Sequence, residues 1–472
     1  MQRTWLRRPA RARTGVAALV AAALLVGACG GDDDTGREDS TAPTSAGDSG
    51  DGAGELTDSF RGVTAEAIKV GFTIVDYSAI ADFVDFQRGD QERVAQTLVD
   101  WINDEGGILG RRIEPVFVEY PPVPGMEPNP LSVCTRLTED EEVFAVLGVF
   151  VDFTGDGQLC VARDHETIHI GHLIQQAWID EAPPGLMLTP SPTVEGTFEL
   201  LLRLLEAEGT LDGRTVAVLA DDDSQARVDS LIVPALEDAG VELGSTAILT
   251  ITGTDNTAAQ GQLDGFLERW KEEGVDTVFM SGLTASAKQW VEKVKAELPD
   301  ALLISDSPSV VQQGQDLVEA GVDPNPYTGT ITADTQSREE RWAEPGPLLQ
   351  ACIDAYEERT GETVLGPAEA EVDENGKTIE LYVALEDFCD ELYLLKLIAE
   401  AAGADLTNET WTEAVHGLGR FEMPTAALAS LCEGKYSAPD QYALKEFDPT
   451  IGGRGDWSPI SDYQDASGGR CT

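Results

Sequence analysis

Basic residues and histidines are scarce in this sequence of 472 residues. It has 32 lysines and arginines against 85 aspartates and glutamates, for a formal net charge of −53, and four histidines. Proteins that bind nucleic acid or an anionic membrane surface present basic patches, so this charge argues against both kinds of partner. The acidic excess itself is expected to keep the chain soluble through mutual repulsion.

Several enzyme motifs are also missing. The sequence has no G-x-x-x-x-G-K-[ST] loop for phosphate and no C-x-x-C pair. Three of the four histidines fall between residues 165 and 172, and no Ser-His-Asp or Cys-His arrangement can be identified. We therefore expect a protein that is not an enzyme, with no catalytic residues, no cofactor and no resident metal.

The N-terminus is typical of an exported protein. Five arginines between residues 3 and 13 precede an apolar run at residues 16–26, shorter than the ~20 residues that span a membrane. The following L-V-G-A-C, ending at Cys29, resembles a bacterial lipobox, which implies cleavage before Cys29 and a lipid on its sulfur. An ordinary secretory signal followed by a chance cysteine is the alternative. We predict a lipoprotein signal peptide at residues 1–28 and a disordered tether at 29–61.

Six cysteines remain after residue 29, and an even number in an exported chain favours disulfides over metal ligands. Several pairings are possible, and pairing of nearest neighbours is the simplest. The predicted disulfides are Cys134–Cys160, Cys352–Cys389 and Cys432–Cys471.

The stretch at residues 143–154 indicates how the chain folds. Residues 144–148 are apolar or glycine without a break, as in a strand buried on both faces. An acidic amphipathic segment precedes this strand, and the polar and aromatic residues Asp152, Phe153 and Thr154 follow it. Open α/β sheets form ligand clefts where buried strands end in such loops.

Strands and helices are predicted to alternate along the rest of the chain, which favours parallel sheets covered by helices on both faces. One series begins at residue 68 and a second at residue 215, so we predict two similar lobes. Residues 331–333 are predicted to cross back from the second lobe to the first. The other predicted strands are 68–74, 113–118, 144–148, 167–173, 215–219, 247–252, 277–280 and 302–304, and the principal predicted helices are 92–103, 198–207, 227–239, 287–298, 349–358 and 379–402.

Four segments carry a family resemblance: residues 62–72, 101–113, 143–148 and 213–219. Together, at this spacing, they resemble the type I periplasmic binding proteins, in particular the branched-chain amino-acid-binding branch. The resemblance implies an α/β fold of two doubly wound parallel-sheet lobes joined by a three-strand hinge. The boundaries are predicted at 62–193 for the first lobe, 194–329 for the second, 330–433 for the return to the first, and 434–472 for the hinge return and C-terminal segment.

The same resemblance implies a function. A small polar or amino-acid-like ligand would be held between the lobes and delivered to an ABC permease by a monomer that its lipid anchors outside the cytoplasm, at the cell membrane. A ligand sensor or scaffold that has the clamp but no permease is the alternative.

The family binds its ligand through loops at strand ends, where backbone N–H groups entering a helix can hold a carboxylate. The matching first-lobe residues are Phe150, Asp152, Phe153, Thr154, His172, Gln175 and Gln176. Tyr77, after the first strand, is a further candidate for the wall of the site and could equally be a core residue. Those of the second lobe are Asp223, Ser224, Gln225, Gly282, Leu283 and Asp306. Either Phe150 or Phe153 could instead pack in the core.

The second-lobe loops depart from those of the amino-acid-binding relatives. Those proteins have tyrosines in the first two loops and a glutamate in the third, and the glutamate holds the ligand ammonium. Here neither loop has a tyrosine, and Asp306 stands near the glutamate position. Asp306 is expected either to pair with a cation or to be a solvated loop carboxylate. Amino acids, amides, short peptides and other small polar solutes therefore stay open as ligands.

Residues 165–169, H-E-T-I-H, match the H-E-x-x-H motif of zinc proteases. That motif works on a helix, where both imidazoles share a face. Thr167, Ile168 and Ile170 are β-branched, which favours a strand, and the family resemblance implies a helix end that runs into a strand here. An extended chain would separate His165 from His169. A zinc-binding protein that uses the segment from His165 to His172 is the less favoured alternative.

Overall fold

The computed structural model describes residues 56–471 except 82–83, 85, 124, 153, 251–256, 283–286, 308–309, 311, 320, 452, 454, 466 and 468. At residues 194, 223, 287–289, 312–313, 316, 319 and 368 the backbone alone is described. Cys29 and the predicted signal peptide therefore lie outside the described residues, as do Phe153 and Leu283. Every described helix is too short or too polar to cross a membrane.

The described strands and helices alternate through most of the chain. The strands are β1 Ala67–Val75, β2 Phe86–Gln87, β3 Arg112–Tyr120, β4 Ala145–Leu147, β5 Ile168–Ile170, β6 Met187–Leu188, β7 Thr215–Asp221, β8 Glu242–Leu243, β9 Ala247–Leu249, β10 Thr277–Ser281, β11 Leu302–Ser305, β12 Ile331–Asp334, β13 Thr378–Ile379, β14 Gly419–Phe421, β15 Ala429–Leu431, β16 Gln441–Asp448, β17 Asp456–Pro459 and β18 Gln464–Asp465. The helices are α1 Gln91–Asp104, α2 Pro130–Thr135, α3 Asp156–Leu159, α4 Gln176–Glu181, α5 Val194–Ala207, α6 Gln225–Arg227, α7 Val233–Asp238, α8 Thr257–Glu273, α9 Ala287–Glu297, α10 Gln312–Glu319, α11 Arg338–Ala343, α12 Pro347–Thr360, α13 Leu381–Ala402 and α14 Asn408–Gly417.

The first sheet has the strand order β3-β1-β4-β5-β6, and all its strand pairs are parallel. Its central strand β4 is buried on both faces, which is why it is a continuous apolar run. Ala145 and Leu147 of β4 join the core formed with α1 and α13, whereas Val146 between them joins a core on the other face. The prediction that this strand is buried on both faces is confirmed.

The second sheet follows the order β17-β16-β12-β11-β10-β7-β8, with β9 beside β7 and β18 beside β16. Alternate residues of its parallel strands enter opposite cores. Val216 and Val218 of β7 pack with α5, whereas Ala217 and Leu219 pack with α8. Helices thus cover both faces of this sheet too, and the predicted fold of two doubly wound lobes is confirmed.

β12 lies in the second sheet and not in the first lobe, where the boundary at residue 330 puts it. It pairs with β11 and, antiparallel, with β16. Ile331 and Ala333 share the second core with Tyr442 and Leu444 of β16. The lobe change on this side therefore follows Asp334, and the strands β16 and β17 from the predicted C-terminal segment complete the second sheet.

Three segments connect the two sheets: residues 189–193, 335–337 and 432–440. The first and third are hydrogen bonded to each other, since Thr189 N donates to Tyr436 O at 3.0 Å and Ala438 N donates to Thr189 O at 2.9 Å. The second is tied to the second sheet, because Ser337 Oγ donates to Asp456 Oδ2 at 3.1 Å. We call these three segments the crossings.

The six cysteines within the described residues are joined in neighbouring pairs. The disulfides are Cys134–Cys160, Cys352–Cys389 and Cys432–Cys471, the pairing that the sequence analysis expects. The second connects α12 to α13, and the third connects the segment after β15 to the C-terminus.

Candidate functional site

A cavity of about 440 Å³ lies where the two lobes and the crossings meet. This volume is within the range of small-molecule sites, about 300–1,000 Å³. The first lobe contributes, among others, His172, Tyr382, Asp387 and Thr425. The second lobe contributes Gln315, Asp334, Asp456 and Trp457, and the crossings contribute Ser191, Gln336 and Pro439. A molecule in this cavity would contact both lobes at once.

Glu386 on α13 binds the basic residues of α11, the helix that follows the second crossing. Arg338 Nε is 3.2 Å and one terminal nitrogen of Arg341 is 2.9 Å from Glu386 Oε2, and Trp342 Nε1 donates to Oε1 at 2.9 Å. Burial opposes ionisation of Glu386, but the charges of Arg341 and Arg338 outweigh it and lower the pKa of the carboxyl. The cluster fixes α11 to the first lobe with both arginines already paired.

Asp390 lies one turn further along α13 and faces the same cavity. Its carboxyl accepts hydrogen bonds from Thr425 Oγ1 and, at 3.1 Å, from Thr425 N. Burial raises the pKa of Asp390 to about 8, against the effect of those bonds. Asp390 is therefore largely protonated at neutral pH.

The second-lobe wall carries further carboxyl groups. Burial raises the pKa of Asp456 to about 7, and the neighbouring Glu339 acts in the same direction. Burial likewise raises the pKa of Asp334, although Lys445 opposes it. The ammonium of Lys445 is fully buried and 2.9 Å from Glu340 Oε2, so it already has a partner.

His172 lines the cavity and lies beside Asp387 and Glu391, two residues that line a smaller side pocket of about 20 Å³. Its Nδ1 is 2.7 Å from Ser191 Oγ in the first crossing. Its Nε2 is 3.5 Å from Asp387 Oδ1 and 3.7 Å from Glu391 Oε1. The side pocket lies between Asp387, Glu391 and the end of β4, where Gly148 has φ +110 and a Cβ would stand 2.4 Å from Thr73 Oγ1. Only glycine fits there.

The first-lobe residues predicted to bind ligand have different environments. His172 lines the cavity and Tyr77 lines the side pocket. Phe150 is fully buried against Tyr120 and His169, so the core alternative holds for it.

Asp152, Thr154, Gln175 and Gln176 are not among the residues that line the cavity. Asp152 accepts from Thr154 N at 3.0 Å and Gly157 N at 2.8 Å, which stabilises the start of α3. Gln175 precedes α4 as its N-cap. Gln176 N donates to Glu195 at 3.0 Å.

In the second lobe, Asp306 has partners within its own lobe. It is 3% exposed, accepts from Ser281 Oγ at 2.5 Å and lies 3.5 Å from Arg227. Burial raises its pKa, while Arg227 opposes the shift. Asp306 is thus neither the solvated carboxylate nor the open cation partner that the sequence suggests.

The neighbouring loops also lie away from the cavity lining. Ser224 N donates to Asp221 at 2.9 Å, and Gln225 is exposed. A Cβ on Gly282 would stand 2.3 Å from Ser224 Oγ. Only the backbone of Asp223 is described.

The H-E-x-x-H segment is not a helix. His169 is buried in β5 with Nδ1 3.3 Å from Val146 O, and burial lowers its pKa to about 4. His165 follows a short π-helical segment, with Nε2 3.5 Å from Glu139 Oε1. Among the described residues, the one group of three possible metal ligands that includes it is Cys134, Cys160 and His165. Since those sulfurs form a disulfide, they offer no thiolate to a metal.

Sequence reasoning missed the acids of α13, since it identified only the apolar stripe of that helix. Four carboxyl residues fall within six positions, Glu386, Asp387, Asp390 and Glu391, inside an otherwise apolar helix. Buried acids are rare unless they are paired or functional. The density of these acids, together with the two arginines of α11, was the sequence signal that could have identified them as candidate site residues.

The comparisons with known proteins agree with the fold. Residues 67–442 match the family model described as periplasmic binding protein. A search of curated protein sequences found no match. The fold is similar to LivJ from Streptococcus pneumoniae in complex with isoleucine, at 16% identity and a TM-score of 0.54, covering 85% of this chain and 100% of that chain.

Two further solved structures are similar. One is a solute-binding protein of an ABC transporter from Rhodopseudomonas palustris BisB5 in complex with 3,4-dihydroxybenzoic acid, at 15% identity and a TM-score of 0.56, covering 85% of this chain and 98% of that chain. The other is the leucine-binding protein LivK from Thermotoga maritima, at 12% identity and a TM-score of 0.55, covering 84% of this chain and 99% of that chain. At these identities the likeness shows the fold.

Proposed function

The chain belongs to the periplasmic binding protein family, and from this premise we propose that it captures a small polar solute between its lobes and delivers it to an ABC permease. Members of the family are extracytoplasmic, bind small molecules and work with such permeases. The observation that carries the proposal is the 440 Å³ cavity, whose wall comes from both lobes and all three crossings.

The cavity supports a clamp mechanism. A solute that contacts His172 and Asp387 on one side and Asp456 and Trp457 on the other stabilises whichever conformation brings the two sides together. Lobe closure about the crossings is the hinge motion that such an arrangement permits. Solute binding then changes the shape that a permease would contact, and the binding protein performs no covalent chemistry.

The N-terminal sequence supports a location at a membrane. A lipid on Cys29, followed by a tether to residue 61, would hold a monomeric lobe pair beside its permease. The residues between Cys29 and Thr57 carry few apolar side chains, as a solvated tether requires.

The test is a thermal-shift screen of amino acids, amides, amines, hydroxybenzoates and short peptides on the purified protein. A solute that binds only the folded state stabilises it by RT ln(1 + [L]/Kd), about 2.7 kcal/mol at a hundredfold excess over Kd. We expect one chemical class to raise Tm, and we expect that class to reduce the radius of gyration in small-angle scattering. Capture is contradicted if no solute raises Tm, and the clamp is contradicted if binding leaves the radius unchanged.

A further inference from the structure

The cavity has a large excess of carboxyl groups. Seven aspartates and glutamates line it against two arginines. Both arginines, Arg338 and Arg341, are bound to Glu386. Of the other acids, Glu380 is bound to Arg88, and Asp390 is largely protonated at neutral pH. The four that remain, Asp334, Glu339, Asp387 and Asp456, have no lysine and no further arginine beside them in the cavity lining, so the cavity favours a positively charged occupant.

Glu391, which lines the side pocket and not the large cavity, is the least satisfied acid of this region. It is fully buried, and within the described part of the chain neither of its carboxylate oxygens has a hydrogen-bond partner. The nearby amide of Gly148 donates to Ile170 O at 3.2 Å. A buried carboxyl without a partner is costly, so this group is positioned for a ligand that is absent from the protein alone.

The side pocket beside Glu391 has a defined size. Its volume of about 20 Å³ has room for one group of the size of a water molecule, and an ammonium group is of that size. Asp387 lines both this pocket and the large cavity, and its side chain is 31% exposed. A ligand could thus place its charged end in the side pocket and its body in the cavity.

A metal ion fits this arrangement less well. Among the described residues, no three carboxylate or imidazole ligand atoms of this site lie within 4.8 Å of one another. A divalent ion needs several ligands at 2–2.6 Å. An organic cation needs only one or two carboxylates for its charged group, and an adjoining cavity for the rest of the molecule.

We propose that the captured solute is an organic amine whose ammonium group enters the side pocket between Asp387 and Glu391. This inference rests on the proposed function, because it names the chemical class of solute for the same cavity. It differs from the sequence expectation, which gave a cationic group to Asp306 of the other lobe. Here the cation is bound by α13 of the first lobe, before the lobes close.

Binding should be linked to proton release. Burial, followed by the charges of Asp387 and Asp390, raises the pKa of Glu391 well above its ordinary value. An ammonium favours the ionised form, so the amine displaces the proton and its affinity increases with pH. The other charged or titratable groups that line the pocket are Tyr77 after β1 and Arg88, which is bound to Glu380 and stacks on Phe86. His172 after β5 does not line the pocket but has Nε2 3.7 Å from Glu391 Oε1.

The experiment compares putrescine with 1,4-butanediol, which has the same length without charge, and adds agmatine, L-isoleucine and 4-hydroxybenzoate. Titration calorimetry on the purified protein gives Kd, and we expect measurable binding of the amines and none of the diol. Asp387→Asn and Glu391→Gln should each weaken amine binding about tenfold or more, since each removes a charged partner. Glu400→Gln, at the far end of α13, is the matched control and should leave Kd unchanged.

Calorimetry in two buffers with different ionisation heats counts the protons. Release should be seen in the unsubstituted protein, persist in His172→Asn and vanish in Glu391→Gln. Loss of the release in His172→Asn alone would overturn the role given to Glu391. Circular dichroism of each variant checks that it has folded.

The outcomes distinguish a failure of the amine proposal from a failure of the proposed function. If isoleucine or 4-hydroxybenzoate binds and no amine does, the proposal that the solute is an organic amine is wrong, and the proposed function stands. If an amine binds to Asp387→Asn and to Glu391→Gln as tightly as to the unsubstituted protein, the side pocket is not where the ammonium group binds. If no solute of any class binds, the proposed function itself is overturned.

Discussion

Replacing Asp390 by asparagine should make the stability of this protein less dependent on pH. Asparagine imitates the protonated acid, because its amide oxygen can accept from Thr425 N and its NH₂ can donate to Thr425 Oγ1. Burial raises the pKa of Asp390 from 3.8 to about 8. The folded state therefore holds this proton more tightly than the unfolded state does, and stability falls as pH rises from the unfolded pKa towards the folded one.

The magnitude follows from these two values. Between pH 6 and pH 9, titration of Asp390 should remove about 2–3 kcal/mol from the free energy of unfolding, counting about 1.4 kcal/mol per pKa unit until the folded-state carboxyl ionises. Asp390→Asn should lack this loss. Asp456, with a pKa raised to about 7, contributes in the same direction in both proteins and therefore cancels in the difference.

Urea unfolding at pH 6 and pH 9 measures this difference. Asp140→Asn, which changes an exposed acid, is the control and should keep the pH dependence of the unsubstituted protein. If Asp390→Asn loses as much stability between the two pH values as the unsubstituted protein does, the argument from burial is refuted.

Three further measurements test other parts of the molecule. Cys29→Ala should move the protein from the membrane fraction to the soluble fraction, and its persistence at the membrane would contradict lipid anchoring. Glu386→Ala should lower the free energy of unfolding by about 3–5 kcal/mol, because it leaves buried Arg341 without its carboxylate; a loss below 1 kcal/mol in urea unfolding would contradict this. Reducing agent should lower Tm, since each of the three disulfides closes a loop of 26–39 residues and contributes roughly 3–4 kcal/mol in the chain-entropy model. An unchanged Tm, or other cysteine pairs in non-reducing peptide mapping, would contradict these three disulfides.

The architecture was predictable from local pattern where strands are long and buried on both faces. β1 and β7 are mostly apolar segments with buried interiors, and the pattern identified both. The two-residue strand β6 is too short to produce a pattern. β12 was assigned to the wrong lobe because its sheet is decided by pairing with β16, more than a hundred residues later, and pairing at that distance leaves no local signal.

The site was less predictable for the same reason. His172 was found because it follows a strand end, where the fold places ligand loops. Asp306 also follows a strand end, but Arg227, from a distant helix, occupies its carboxylate. The acids of α13 lie inside a helix whose apolar residues dominate its pattern, and only the packed structure shows which of them face a cavity.

The return of β16 and β17 to the second sheet determines when the protein can finish folding during export. Each lobe is assembled from distant parts of the sequence, and β12 remains an open edge until residues 441–448 have been translocated. Until then Ile331 and Ala333 lack the cover of Tyr442 and Leu444. A chain truncated shortly before residue 441 would thus expose β12 as an unpaired edge strand that can pair with other chains. Loss of β16 and β17 should therefore cause aggregation.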